Sequence, residues 1–473
     1  MPIRSATSRA RRRLSALALA AALLLAPAGP APATEEIALS LDQARGLAVH
    51  AIRNGNPGLA VQLARGLLAA DPDDPLAHYV IAAAHARADR PGPGRKSAAR
   101  AYRGAQSDAE RFLAAQMAAR MAYAEDRLSL AQLWLRRAAI HAPDAGAEEV
   151  VARDYTVLRR LNPWSFRIQA DLRPSSNVNK GADTALQIID GVPVTGVLSG
   201  AARALPGLIG ALDLSAGYRF RRSAQSASSV AGRLYIQRVA LSSAAQAQAP
   251  RARNSDFAST FAELSLRHGF LVGPEGAGGS ASVDLTAGEA WYGGRRSFSF
   301  ARLTGERRWQ LAGGGALDLH ALYEDRFRAL VAVNDAQVLG LGARWRQPLA
   351  NGDRLSLSLA LRESRAAHPN GSYWSASMRA AYDLGRPVGP MHLRAGLVLG
   401  YSDYPVFRSA GFLTVPGGRQ DKSVYGDLSM IFHDFDYAGF APTLRLRAGR
   451  KFSNDSRYSM RELSLSLGFE SEF

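Results

Sequence analysis

The sequence predicts a two-domain chain of α+β class, a helical array followed by a transmembrane antiparallel β-barrel of about fourteen strands. Three observations predict it. Alanine-rich segments, broken at regular intervals by glycine and proline, occupy residues 34–162. After Asn162-Pro163 the apolar period changes from about 3.6 to 2. No apolar run reaches the ~20 residues of a membrane helix, not even the short stretch near the amino terminus, so insertion must be by strands.

At the amino terminus, Arg4, Arg9, Arg11, Arg12 and Arg13 precede an unbroken apolar stretch from Leu14 to Ala26. Ala31-Pro32-Ala33 then offers the small-x-small pattern of a signal peptidase site. Residues 1–33 are therefore expected to be a signal peptide, with the mature chain opening at Thr34. An apolar run of about 13 residues is too short to span a bilayer. The arginine run also suits a twin-arginine signal. There is no cysteine, hence no lipidation site and no disulfide.

The formal charge of +17 overstates the basic character. Five of those charges fall in residues 1–33, two in 34–162 and ten in 163–473. Nucleic-acid binding wants basic residues clustered on one face beside stacking aromatics. Here they are spread through alternating strands, so no nucleic-acid partner is expected.

Residues 34–162 are expected to form the helical array. Asn54-Gly55-Asn56-Pro57 separates two helical runs, and Asp71-Pro72-Asp73-Asp74-Pro75 ends the pair. Arg90-Pro91-Gly92-Pro93-Gly94 splits a second pair, and His141-Ala142-Pro143 ends a third. Pro72 and Pro143 stand about two tetratricopeptide periods apart. Leu59, Ala60, Leu63, Ala64, Leu67 and Leu68 keep helical apolar spacing in the first unit, and Trp134 and Leu135 anchor the third. The segment resembles tetratricopeptide repeats in period, small residues and terminal prolines, although the full consensus is absent. Such arrays bind peptides on a concave surface, an inert spacer being the plainer alternative. His78 and His85 lie seven apart without a third ligand, and are expected to be solvated groove residues rather than a metal pair.

Residues 163–473 read as strands. In Arg354-Leu355-Ser356-Leu357-Ser358-Leu359-Ala360-Leu361-Arg362 every odd position is leucine. Leu317, Leu319, Ala321 and Tyr323 alternate with Asp318, His320 and Glu324. Leu444, Leu446 and Ala448 alternate with Arg445, Arg447 and Gly449. An apolar face against a charged one suits a barrel that turns the first to lipid and the second to its lumen. Fourteen such segments follow, near 164–173, 208–221, 229–242, 256–268, 280–293, 295–310, 314–328, 336–347, 353–365, 371–385, 391–404, 421–433, 442–452 and 458–473. Trp291, Tyr292, Trp374, Tyr401 and Tyr404 sit near segment ends and are expected in an interfacial girdle. Leu463, Leu465, Leu467, Phe469 and Phe473 share one face of the last segment. That face resembles the closing strand of bacterial outer-membrane barrels, which implies the barrel assembly machinery and outer-membrane lipid as partners.

Little points to chemistry. Gly273 to Gly279 lies between strands and lacks the Lys-Ser/Thr and following helix of a phosphate loop. No serine–histidine–acid spacing and no His-Glu-x-x-His stands out. Phe432-His433-Asp434-Phe435-Asp436 suits a cation site and a strand-end loop equally. No catalytic, cofactor or metal role is assigned.

At the domain boundary Pro163-Trp164 leads into a first strand from Phe166 to Arg173. Pro174-Ser175-Ser176-Asn177-Val178-Asn179 follows. With the order of signal peptide, helical array and barrel, Pro163, Trp164, Pro174, Ser176, Asn177 and Asn179 resemble the junction of the surface lipoprotein assembly modifier (Slam) family. The serine after Pro174, where an acidic residue is expected, departs from that pattern. The resemblance implies a Gram-negative outer-membrane translocator with its helical domain in the periplasm. Its implied partners are a cognate lipoprotein or secreted protein and periplasmic chaperones. A polysaccharide exporter, which carries a longer repeat array, and a passive porin, which needs none, are the alternatives.

Overall fold

The computed structural model describes residues 39–273, 278–432, 435 and 440–471. The signal-peptide reading of residues 1–33 and the terminal Phe473 lie outside the described residues, as do His433, Asp434 and Asp436.

Seven helices come first: α1 Leu41–Arg53, α2 Pro57–Ala70, α3 Pro75–Arg87, α4 Pro91–Gly104, α5 Asp108–Ala124, α6 Leu128–Ile140 and α7 Ala145–Leu161. Their starts are written in the caps. Ser40 with Gln43, and Ser107 with Glu110, close reciprocal capping boxes. Asn56, Asp74 and Asp144 each accept the backbone N–H three residues on. Arg45 ties α1 to the Asp74 cap at 2.9 Å. The packed surfaces are mostly alanine, which lets helices approach closely; Trp134 and Leu135, each 5% exposed, join Phe112, Val151, Tyr155 and Leu158 in the core of the later helices. Arg90-Pro91-Gly92-Pro93-Gly94 separates α3 from α4 as expected, and its prolines and glycines form the first turn of α4, where proline is tolerated because those N–H groups have no intrahelical acceptor. One expectation needs correction. His78 is not solvated: it is 4% exposed and its Nε2 lies 3.0 Å from the Pro72 carbonyl oxygen.

The strands are β1 Trp164–Ser175, β2 Leu186–Ile189, β3 Val192–Val197, β4 Gly207–Arg222, β5 Ser226–Leu241, β6 Ser259–Leu271, β7 Ser280–Tyr292, β8 Arg295–Gln310 and β9 Ala316–Phe327. Then come β10 Ala336–Pro348, β11 Arg354–Ala366, β12 Tyr373–Asp383, β13 Met391–Tyr404, β14 Arg408–Ser409, β15 Leu413–Thr414, β16 Arg419–Phe432, β17 Phe440–Ser453 and β18 Met460–Ser471. Two small hairpins, β2–β3 and β14–β15, stand apart in loops. The other fourteen form one closed antiparallel barrel in the order β1-β18-β17-β16-β13-β12-β11-β10-β9-β8-β7-β6-β5-β4. Closure satisfies backbone groups without a free edge, the condition for a sheet to cross a bilayer. No described helix is long and apolar enough to do so.

The outer face is the apolar one. Phe166, Ile168, Leu264, Leu285, Leu341, Leu359, Leu465 and Leu467 are all exposed on it. Leu463, Leu465, Leu467 and Phe469 of β18 lie in this row. Trp374 and Tyr401 pack together on the outside with ring centroids 5.2 Å apart. Tyr404 is a correction: it belongs to the inner face, tilted against Tyr373 with ring centroids 5.0 Å apart and covered by Arg419. The β1–β18 seam is the thinnest junction, registered at Asp171↔Gly468, Leu172↔Leu467 and Ser175↔Ser464. Pro174, which has no N–H to give, falls in a gap of that register.

Candidate functional site: the lumen and its two mouths

Inward-facing residues of consecutive strands build a polar wall. Asp213 on β4 receives both Nε and Nη2 of Arg233 on β5, at 2.9 and 2.6 Å. Arg233 also meets Glu263 on β6 (3.7 Å), which meets Arg302 on β8 (3.6 Å). Arg302 continues to Glu324 on β9 at 2.5 Å, and Glu324 also takes Arg326 at 2.7 Å. On the opposite wall Arg379 of β12 reaches across β13 to Asp427 of β16 with two bonds of 2.7 and 2.8 Å. Gly396 on the intervening strand makes this possible, since a Cβ there would stand 2.5 Å from Arg379 Nη2 and 2.8 Å from Asp427 Oδ1. The networks run across the strands, so they brace the wall rather than plug it.

The mouth nearer the helices is held by the helix end itself. Arg219 Nη2 donates to the carbonyl oxygens of Arg160 (2.8 Å) and Asn162 (3.1 Å), and Arg222 Nη1 donates to that of Arg160 (2.6 Å). These carbonyls terminate α7, where they have no intrahelical donor and carry the negative end of the helix dipole. Asn162, 5% exposed, bonds Ser129 and Gln132 through Nδ2 and receives Trp164 N–H on Oδ1. The Pro163 carbonyl oxygen accepts the Arg219 N–H at 2.8 Å. Trp164 stacks on Phe166 and packs on Tyr218, with centroids 6.0 and 4.7 Å apart, on the outer rim.

The far mouth is closed over in part by loops. Asn177 Nδ2 donates to the carbonyl oxygen of Gly181 and its Oδ1 accepts Gly181 N–H, both at 2.8 Å. Asn179 clamps Arg203 and Leu205 in the same way. Ser176 exchanges two bonds with the Leu463 backbone across the seam. The six junction residues are therefore not one site. Pro163 and Trp164 lie at the helical end of β1, whereas Pro174, Ser176, Asn177 and Asn179 lie at its other end. The segment between β13 and β16 turns inward, with Phe407 and Val415 each 2% exposed. Arg419, 6% exposed, is enclosed by the rings of Tyr404, Phe407 and Tyr458 at 3.8, 4.4 and 3.8 Å. The sequence reading missed this cation cage; a lone Arg at the first position of a strand gives no periodic signal.

Among the described residues no cluster of three or more His, Asp or Glu is arranged to hold a metal. No family model matches the chain. No curated protein matches it. Solved structures that resemble it include OprB of Pseudomonas putida, at 11% identity over 68% of this chain and 97% of that one, TM-score 0.37. The outer membrane channel DcaP of Acinetobacter baumannii aligns at 9% identity over 65% and 97%, TM-score 0.34. A bacterial polysaccharide outer membrane secretin aligns at 9% identity over 65% and 98%, TM-score 0.32. At these values the likeness carries no functional argument.

Proposed function

We propose that this chain is an outer-membrane protein translocator that delivers a specific lipoprotein or secreted soluble protein to the cell surface. The barrel is the conduit, and the helical domain engages substrate or a periplasmic chaperone. The observation that carries this reading is the attachment of α7 to the barrel wall through Arg219 and Arg222. It holds a repeat array, of a kind suited to peptide binding, beside one mouth of a polar lumen. Loop lengths support a periplasmic array. Its mouth carries short turns such as 223–225 and 349–353, while the far mouth carries 176–206, 242–258 and 405–418. Outer-membrane barrels keep short turns in the periplasm and long loops outside.

The test is deletion of residues 34–162. The barrel closes its own hydrogen bonds, so it should still insert and migrate heat-modifiably on gels. Surface exposure of the neighbouring gene's product, read by protease on intact cells, should be lost, because tethering at the mouth raises local substrate concentration. Undiminished exposure from a well-inserted truncated barrel would overturn the delivery role. A passive porin, favoured by the arginine-rich lumen, would keep its solute flux after the same deletion.

A further inference from the structure

We infer that the half of the lumen nearer the helices holds an oxyanion-binding site for phosphate or carboxylate groups. It is built by Arg308, Arg344, Arg346, Arg354, Arg379 and Arg394. These six line one recess of about 580 Å³ together with Ser356, Ser358 and Asp383. It is a property of the lumen wall and rests on the conduit reading only for what passes through it.

The register explains why the recess has charge to spare. Arg308 on β8, Asp318 on β9, Arg344 on β10, Ser358 on β11 and Arg379 on β12 are successive cross-strand partners in one row. Asp318 stands opposite both Arg308 and Arg344. It bridges Arg308 (2.5 Å) and the diagonal Arg346 (2.7 Å) instead of Arg344. Arg379 is committed to Asp427, and Arg394 to Asp383. Six guanidiniums thus share three carboxylates. Among the described residues, Arg344 and Arg354 have none within ion-pair distance, and Arg346 Nε is buried without a hydrogen-bond partner.

Neighbouring strands lie about 4.8 Å apart, so Arg344, which has no carboxylate of its own, stands one strand from Ser358 and reaches the space beside its hydroxyl, while Arg379 on the other side stays held by Asp427. A guanidinium fork matches the spacing of two oxygens on carboxylate or phosphate, and a serine hydroxyl adds a third donor. The positive field continues around the wall. A second recess of about 930 Å³ shares Arg308 and Arg344 and adds Arg167, Arg219, Arg222 and Arg267 against Glu306. Like-signed groups lining a narrow concavity raise the local concentration of counter-ions.

The experiment titrates inorganic phosphate into the full-length barrel in detergent by calorimetry, for wild type and for Arg344→Ser/Arg354→Ser. Arg365→Ser, an exposed arginine outside the recess, is the control. Heat-modifiable migration confirms that each variant has folded. Wild type and control should bind phosphate, and the double variant should bind it about tenfold more weakly or worse, having lost two charge-assisted donors. No heat from wild type, or equal affinity in the double variant, would overturn the site. A glutamate peptide that displaces phosphate supports the site and assigns it to carboxylates on a passing chain. Phosphate retained beside the peptide supports it as a site for small phosphate solutes. In planar bilayers under a KCl gradient, the wild-type reversal potential should indicate anion preference, and the double variant should shift toward cations. Phosphate binding without any conductance would leave the site standing and remove the conduit.

Discussion

Arg222 Nη1 donates to the carbonyl oxygen of Arg160 at 2.6 Å, so a barrel strand neutralises the carboxyl end of the last helix. Arg219, three residues earlier on β4, reaches the same helix end. Strand β4 therefore positions the helical array as directly as the chain connection at Pro163 does.

Replacing both arginines by alanine should loosen the array without harming the barrel. Each bond contributes a net of about 0.5–1.5 kcal/mol, so the three bonds to the Arg160 and Asn162 carbonyls account for roughly 1.5–4.5 kcal/mol of docking. Trypsin cleavage at Arg159 and Arg160 of the detergent-solubilised full chain should speed up by about tenfold, since cleavage follows the population of the open form. The remaining barrel should keep its heat-modifiable migration. Unchanged cleavage would mean that Asn162 and the Pro163 link hold the array unaided.

The facing of β11 can be tested with charge. Leu357 is 39% exposed on the outer face, whereas Ser377 on β12 faces the lumen opposite Ala360 and Gly400, where there is room. Leu357→Arg should cost about 2–4 kcal/mol if it sits near mid-bilayer, and Ser377→Arg far less. The fraction of heat-modifiable protein in membranes reads both. Ser358 is the poorer control, because it already lies between Arg344 and Arg379. Equal losses at Leu357 and Ser377 would show that the outer row does not meet lipid.

The barrel was legible because lipid outside and water inside impose a strict period of two on every strand. The segment read as 353–365 is β11 Arg354–Ala366, and 295–310 is β8 to the residue. What the pattern does not carry is the register between neighbouring strands, which decides the charges that meet in the wall. The Arg379–Asp427 pair spans an intervening strand, and Asp318 chooses between three arginines, so the spare charge of Arg344 follows only from the register. Ends of strands were less legible for a related reason. Tyr404 reads as a girdle residue until the inward turn of the next loop, carrying Phe407, shows it facing Arg419. The hairpins β2–β3 and β14–β15 are too short for their period to stand above the loops around them. In the helices, caps and prolines gave the boundaries, but the burial of His78 depends on a carbonyl oxygen from the preceding turn.

His85 gives the helical domain a pH response. Burial, with a smaller contribution from the nearby Arg90, lowers its pKa below the usual histidine value. The unfolded state therefore takes up a proton more readily than the folded one. Stability is complete above the ordinary value of about 6.5 and is lost as pH falls through it toward the lower folded value. Amide exchange of α3 and α4 in the full chain, corrected for intrinsic rates, should show weaker protection at pH 5 than at pH 7. His85→Gln should flatten that difference. A variant that keeps the full pH dependence would place the response elsewhere.

The far mouth offers the last prediction. Asp455 is 0% exposed, and its carboxylate accepts the Ser409 hydroxyl at 2.5 Å and the Arg457 N–H at 3.1 Å. Ser409 in turn receives Gln187 Nε2 at 2.7 Å, and Ser456 receives the Ile188 N–H at 2.7 Å. One buried carboxylate thus links the loops that follow β1, β13 and β17. Asp455→Ala strands the Ser409 hydroxyl and the Arg457 N–H without their acceptor, which costs about 1–3 kcal/mol for each group left buried and unpaired. The 405–418 segment depends on that link to keep Phe407 and Val415 against Tyr404, Arg419 and Tyr458. Released, it should be clipped faster by protease in proteoliposomes, and the channel should conduct more in planar bilayers. Asp455→Asn, which keeps the shape and one acceptor oxygen, should show a smaller change in both. Clipping without a change in conductance would mean that this loop covers the rim but does not narrow the path. No change in either would remove Asp455 as the link.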